Sequence, residues 1–265
     1  MLTRLSIFLQ NLFHFFKSLF VRQEKIDHTE EIENEVVEKN HAVPENDSYD
    51  KPDIKQNDTK NLIMINKFLP ENCYTKVNTK KTRICLHHTV SSPLSTEGDI
   101  VTFVNQNNIA TQYIISGDGK VFLLIPENYW AHHLGTKLAN NTQLNQETIG
   151  IELDAWGQLT KNGDRYLTAY GSVLDSDIPV ETLDQPFRGS LHYQEYSDAQ
   201  INALYLFLKK LSDEHEIPME GLNKTLNFEL LDNFDNSGLY SHSNFRADKS
   251  DVYPAKKLID MLRKL

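Results

Sequence analysis

The segment LYSHSNFRADKSDVYP, residues 239 to 254, gathers a histidine, an arginine, a lysine and two aspartates with little apolar content. Elsewhere histidines come in pairs, His87 and His88 in LHHT and His132 and His133 in AHHLG. Adjacent side chains on a strand point to opposite faces, so only one of His87 and His88 can face a given site. His87 near a strand end, His242 and a nearby carboxylate would make the two-nitrogen, one-oxygen set that suits a catalytic Zn²⁺ with an open fourth position. Each residue also has a plainer alternative: a hydrogen-bonded structural histidine, or a charged stretch facing water.

Such groups need rigid elements to hold them. TRICLHHTV, rich in β-branched and apolar residues, predicts a buried strand ending in a turn at SSP. STEGDIVTFVNQ predicts a helix with Ile100, Phe103 and Val104 inward. In TQYIISGDGKVFLLI two apolar runs flank Gly-Asp-Gly, which predicts a β-hairpin, and ETIGIELDAW predicts another strand. YSDAQINALYLFLKKLSDEHEIP predicts a helix: Ser197 and Gln200 form a capping box, Ile201, Leu204, Tyr205, Leu208 and Leu211 line one face, and Pro218 follows the end. A last helix is expected at or just after Pro254, with Leu258, Met261 or Leu262, and Leu265 inward. Strands interleaved with helices imply an α/β fold, a mixed central β-sheet flanked by helices.

Composition narrows the function. An apolar content of 39% with 10% aromatics suffices for a core, and a net charge of −10 argues against a broad grip on nucleic acid. Two cysteines, Cys73 and Cys85, exclude a multi-disulfide scaffold and a four-thiolate zinc site; one disulfide stays open, with two reduced buried thiols as the expectation. Residues 1–21 place Leu5, Phe8, Leu9, Leu12, Phe16, Leu19 and Phe20 at helical spacing, an amphipathic helix suited to a membrane interface, with docking on the protein's own core as the alternative. No A-x-A-like cleavage site follows it. Residues 22–60 are polar and acidic and read as a flexible tether, which leaves 61–265 as the folded domain.

The order of motifs resembles the zinc-dependent N-acetylmuramoyl-L-alanine amidases of the type 2 family, relatives of phage lysozyme-like amidases and animal peptidoglycan recognition proteins. The resemblance covers roughly residues 62 to 264. RICLHHTVS is similar to the family's first strand and points to His87 as a zinc ligand. YIISGDGKVFLLIPENYWAHHLG resembles the hairpin and the segment ending in histidine, any residue, glycine, matched by His133 and Gly135. TIGIEL resembles the strand carrying the catalytic glutamate, here Glu152, and SHSNFRADKSDVYP resembles the closing motif, which implies His242 and Asp251 as ligands with Lys249 between them. The proline and glycine that usually follow the third ligand are replaced by VYP.

The resemblance implies a peptidoglycan hydrolase that cleaves the amide between N-acetylmuramic acid and L-alanine of the stem peptide. Glu152 would move the proton and Lys249 would stabilise the oxyanion. The expected setting is the periplasm or the peptidoglycan layer, as a phage endolysin or a bacterial wall-remodelling enzyme, acting as a monomer. Residues 157 to 194 read as one long connection whose Tyr166 and Tyr170, with Phe187 and Tyr193, suit sugar or peptide packing, or else a flap closing over the core. His133 is expected at the substrate, and Arg188 in PFRG is placed to pair with a stem-peptide carboxylate. A noncatalytic peptidoglycan-binding module of the same fold is disfavoured because the ligand set and Glu152 are present. An unrelated zinc peptidase is disfavoured because H-E-x-x-H is absent.

Overall fold

The run RICLHH is buried at every position because it becomes an interior strand in the computed structural model, which describes residues 62–265. The readings of residues 1–21 and 22–60 lie outside the described residues. Six strands form the main sheet: β1 (Met64–Asn66), β2 (Arg83–His88), β3 (Tyr113–Ile115), β4 (Val121–Leu123), β5 (Thr148–Leu153) and, much later, β10 (Gly238–Ser241). Their order is β1-β4-β3-β5-β2-β10. Only the hairpin pair β3 and β4 is antiparallel, so the sheet is mixed.

Helices cover it: α1 (Thr96–Val104), α2 (Asn141–Glu147), α3 (Asp198–His215), α4 (Leu222–Thr225), α5 (His242–Phe245) and α6 (Lys256–Leu262). On one face Ile84, Leu86, Ile149 and Ile151, spaced by two, pack with Leu204, Phe207, Leu208 and Leu211 of α3 and Leu258 and Leu262 of α6. On the other, Cys85 packs with Leu134, Leu144, Phe234, Tyr240 and Phe245. Cys73 belongs to a separate cluster, and both thiols are free and buried.

Two local expectations need correction. In α1, Ile100 and Phe103 pack inward, but Val104 is 39% exposed, since α1 ends there and turns its last residue to solvent. The cap of α3 is half a capping box. Ser197 Oγ accepts from the Gln200 amide at 3.0 Å, while the buried Gln200 side chain donates to the carbonyls of Ile115 (2.8 Å) and Asp154 (3.2 Å), tying the helix start to the sheet.

Residues 157 to 194 are not one irregular connection. They fold into a second, antiparallel sheet of order β7-β6-β9-β8, built from β6 (Gln158–Asn162), β7 (Arg165–Leu167), β8 (Val180–Phe187) and β9 (Ser190–Gln194). Tyr193 and Phe187 are buried in the main core, and the Tyr193 hydroxyl donates to the Phe187 carbonyl at 2.5 Å. Among the described residues no helix is long and apolar enough to cross a membrane.

Candidate active site

Strand register brings the first reactive groups together. His87 pairs with Glu152 across parallel strands β2 and β5, so both side chains leave the same face, the face shared with Cys85 and Gly150. Gly150 is needed there: a Cβ at that position would lie 2.8 Å from Thr111 Cγ2 and 3.0 Å from His133 Nδ1. The third contributor, β10, runs parallel to β2 and delivers its last residue, Ser241, beside Leu86. Ser241 caps α5 with Asn244, and His242 opens that helix at the mouth of the strands.

The convergence is tight. His87 Nδ1 lies 3.0 Å from His242 Nδ1, and Asp251 Oδ2 lies 2.7 Å from the latter and 3.4 Å from the former. The rear nitrogens already have partners: His242 Nε2–H donates to the Leu134 carbonyl at 2.9 Å, and His87 Nε2 faces His133 Nδ1 at 3.0 Å. His133 Nε2 in turn faces the Thr148 carbonyl at 3.4 Å. With each Nε2 turned to a partner behind it, both Nδ1 atoms face the same spot as the carboxylate. Such backing hydrogen bonds are how metal-binding imidazoles are oriented.

The charges are set for a cation. Burial first, then the neighbouring His242, pulls the His87 pKa down to about 4, so its ring is neutral at working pH. Asp251, although burial opposes it, is held well below the usual carboxylate range by His242 and His87. Among the described residues no lysine or arginine forms an ion pair with it. Two imidazole nitrogens and an anion thus face one another with no lysine or arginine between them. A divalent ion with nitrogen and oxygen preferences, such as zinc, fits this donor set.

Glu152 sits beside this cluster with Oε2 sealed from solvent and unpartnered. Burial, then the Asp251 charge, raises its pKa well above the ordinary value, while the Lys249 ammonium acts the other way. The same ammonium also depresses His87 and His88, so Lys249 is part of this electrostatic neighbourhood. His88 points to the opposite face, where its Nδ1 meets the Tyr196 hydroxyl at 3.4 Å.

The expected substrate contacts divide. His133 stands behind His87 as a hydrogen-bond partner. Tyr170 is 63% exposed and meets Trp156 edge-on at 6.2 Å, four residues beyond Glu152. Tyr166 is half-buried against His192 on the second sheet. Arg188 does not present a free guanidinium, because that group is turned onto backbone carbonyls of the segment bearing His242.

Sequence reasoning missed a carboxyl cluster just beyond Glu152. Asp154 is fully buried, accepts from Thr96 Oγ1 and leaves Oδ1 unpartnered, while Asp99 accepts from Ser91 (2.8 Å) and Ser95 (3.2 Å). The signal available was the spacing in IELDAW, a second acid two residues after the first. Burial, with the Asp99 charge adding to it, pushes the Asp154 pKa up from 3.8 to about 8. The folded state therefore holds a proton that the unfolded chain releases, and stability falls as pH rises from about 4 to about 8. Asp154→Asn should flatten that slope, gaining at least about 1 kcal/mol on the wild type between pH 5 and pH 8, one pKa unit's worth. Urea unfolding at both pH values checks this, and equal slopes for the two proteins would remove Asp154 as the titrating group.

Among known proteins, the family described as N-acetylmuramoyl-L-alanine amidase matches residues 78–254. Solved structures similar to this chain include a mutant of PlyL, at 11% identity and TM-score 0.47, covering 77% of this chain and 98% of that one. A mutant endolysin from Bacillus subtilis stands at 16% and 0.44, covering 75% and 93%. The amidase LysC from Clostridium intestinale URNW stands at 13% and 0.38, covering 69% and 84%. None of these structural likenesses carries the assignment, which rests on the family match. Comparison with curated proteins finds no match.

Proposed function

Because this chain belongs to the N-acetylmuramoyl-L-alanine amidase family, we propose that it hydrolyses its peptidoglycan amide with a zinc ion held by His87, His242 and Asp251. The observation that carries the proposal is the convergence of two imidazole nitrogens and one carboxylate oxygen on a single point. When bound, such an ion supplies Lewis-acid polarisation of the amide carbonyl and acidifies water to a pKa near about 7.

The chain's own groups do the rest. Glu152 takes the proton from the attacking water and hands it to the amine of L-alanine as the C–N bond breaks. Its unpartnered oxygen leaves an acceptor free for that proton. Lys249 directs its ammonium at the carbonyl oxygen as negative charge grows there. The backing bonds from His87 to His133 and from His242 to Leu134 keep both rings in one orientation through the cycle. Tyr170 and Trp156 offer an aromatic edge for the glycan or the stem peptide, and Tyr166 is assigned to the outer part of the same surface.

We assign the chemistry to residues 61–265 and a membrane-surface contact to residues 1–21, tethered through 22–60. A fragment of residues 61–265 should fold, carry one zinc per chain and release free stem peptide from purified muropeptides. Metal analysis and mass spectrometry of the products test it. A metal-free fragment with full activity would overturn the zinc assignment, products cut within the peptide would overturn the bond assignment, and a fragment that precipitates would overturn the assignment of residues 1–21 to a membrane surface.

A further inference from the structure

The second sheet ends in a hairpin whose turn carries an unfavourable residue for its shape. Phe187 pairs with Ser190 across the β8–β9 turn, and both central residues have positive φ, Arg188 at +47° and Gly189 at +81°. Two-residue turns of this kind favour Asn, Asp or Gly at the first position, because a Cβ crowds the next carbonyl in the left-handed region, which Gly avoids and Asn or Asp offset by local hydrogen bonds. Backbone strain of this kind is kept where the residue does something.

The Arg188 side chain reaches from the turn to the segment that bears the site. Its Nη1 donates to the Ala247 carbonyl at 3.2 Å, and its Nη2 donates to the carbonyls of Ser243 (3.2 Å) and Phe228 (3.3 Å). The nearby Glu229 carboxylate lies 3.4 Å from Nη2. Ser243 follows His242, and Ala247 precedes Lys249 by two residues. The Ser243 amide donates to the Asp251 carbonyl at 2.8 Å, so the segment is closed on itself as well as held from outside. Among the described residues, no other basic side chain bonds carbonyls at both ends of 243–247.

We propose that Arg188 is a positioning residue that clamps the 242–251 segment, fixing His242, Lys249 and Asp251 relative to His87. The second sheet then serves the active site directly, by carrying a planar, multi-donor group to three carbonyls that no element of the main sheet reaches. Arginine is suited to this because its fork makes several fixed bonds at once, whereas lysine offers one point charge. The proposal rests on the reading of His242 and Asp251 as metal ligands, but the clamp itself can be tested without metal.

Arg188→Asn separates the clamp from the turn, since Asn suits the turn and lacks the reach. In the metal-free protein, melting temperature should stay the same or rise, while amides of 243–251 exchange with solvent faster. In the zinc-loaded protein, metal affinity measured against a chromophoric chelator should fall about 10- to 100-fold, the range for groups standing behind a ligand. kcat should fall with little change in KM. Arg188→Lys should recover only part of each. Wild-type exchange rates in Arg188→Asn would overturn the clamp, and so would a melting temperature that collapses together with metal affinity, which marks a merely structural arginine. If wild-type protein binds no metal while exchange still responds to Arg188→Asn, the ligand reading fails and the clamp stands.

Discussion

Glu152→Ala should retain the fold and the full complement of metal yet lose at least about 100-fold in kcat, the lower end of what a positioned acid–base contributes. KM should change little, because the proton transfer is made in the transition state. Stability gives an independent check. The Glu152 carboxyl has a sealed, unpartnered oxygen and is disfavoured as an anion by burial, so removing it should leave the melting temperature unchanged or higher. Lys249→Ala should likewise keep metal and lose about 100- to 1,000-fold, the usual consequence of deleting one oxyanion donor. Steady-state kinetics on muropeptides, with metal content measured on the same preparations, decides both. Turnover at the wild-type rate in Lys249→Ala would return that lysine to an ordinary loop charge.

Asp251→Ala should fail in a different way. The carboxylate is the only anion within hydrogen-bonding distance of the two facing Nδ1 atoms among the described residues, so its loss leaves two imidazoles alone to hold a dication. Metal affinity should drop by more than the roughly 10- to 100-fold seen for residues behind a ligand, and activity should follow metal occupancy. Added zinc should then restore part of the activity of Asp251→Ala and none of that of Glu152→Ala. Dialysis against a chelator followed by metal analysis makes the comparison, and an Asp251→Ala protein that keeps one tightly held zinc would exclude this aspartate from the ligand set.

The elements that position the site were legible because their patterns are one-dimensional. RICLHH and TIGIEL are short runs built around Ile and Leu, with Gly150 alone interrupting the second, the Gly-Asp-Gly hairpin turn is local, and α3 shows its apolar stripe at helical spacing. The second sheet was not legible for the matching reason. β8, VETLDQPF, is exposed at half its positions and has no clean alternation, and its turn is Arg-Gly instead of Asn-Gly. Within the site, residue types and their order suggested which groups to consider, but not which neighbour each would meet. The sequence points His133 and Arg188 to substrate, whereas in the fold His133 stands behind His87 and Arg188 holds carbonyls. Both outcomes depend on contacts across 46 and 55 positions of chain, which no local pattern encodes.

The two facing imidazoles are separated by 155 positions, and the strand that brings the second one in lies at the sheet edge, with β2 as its one neighbour in the sheet. A contact closed over so long a loop forms late in folding, since the entropy of closure precedes any reward from pairing. The ribosome also releases the first histidine long before the second. The complete set of donors therefore exists only in chains whose last strand has docked, and a metal ion captured there would act as a seal on finished topology, drawing the equilibrium toward it by mass action.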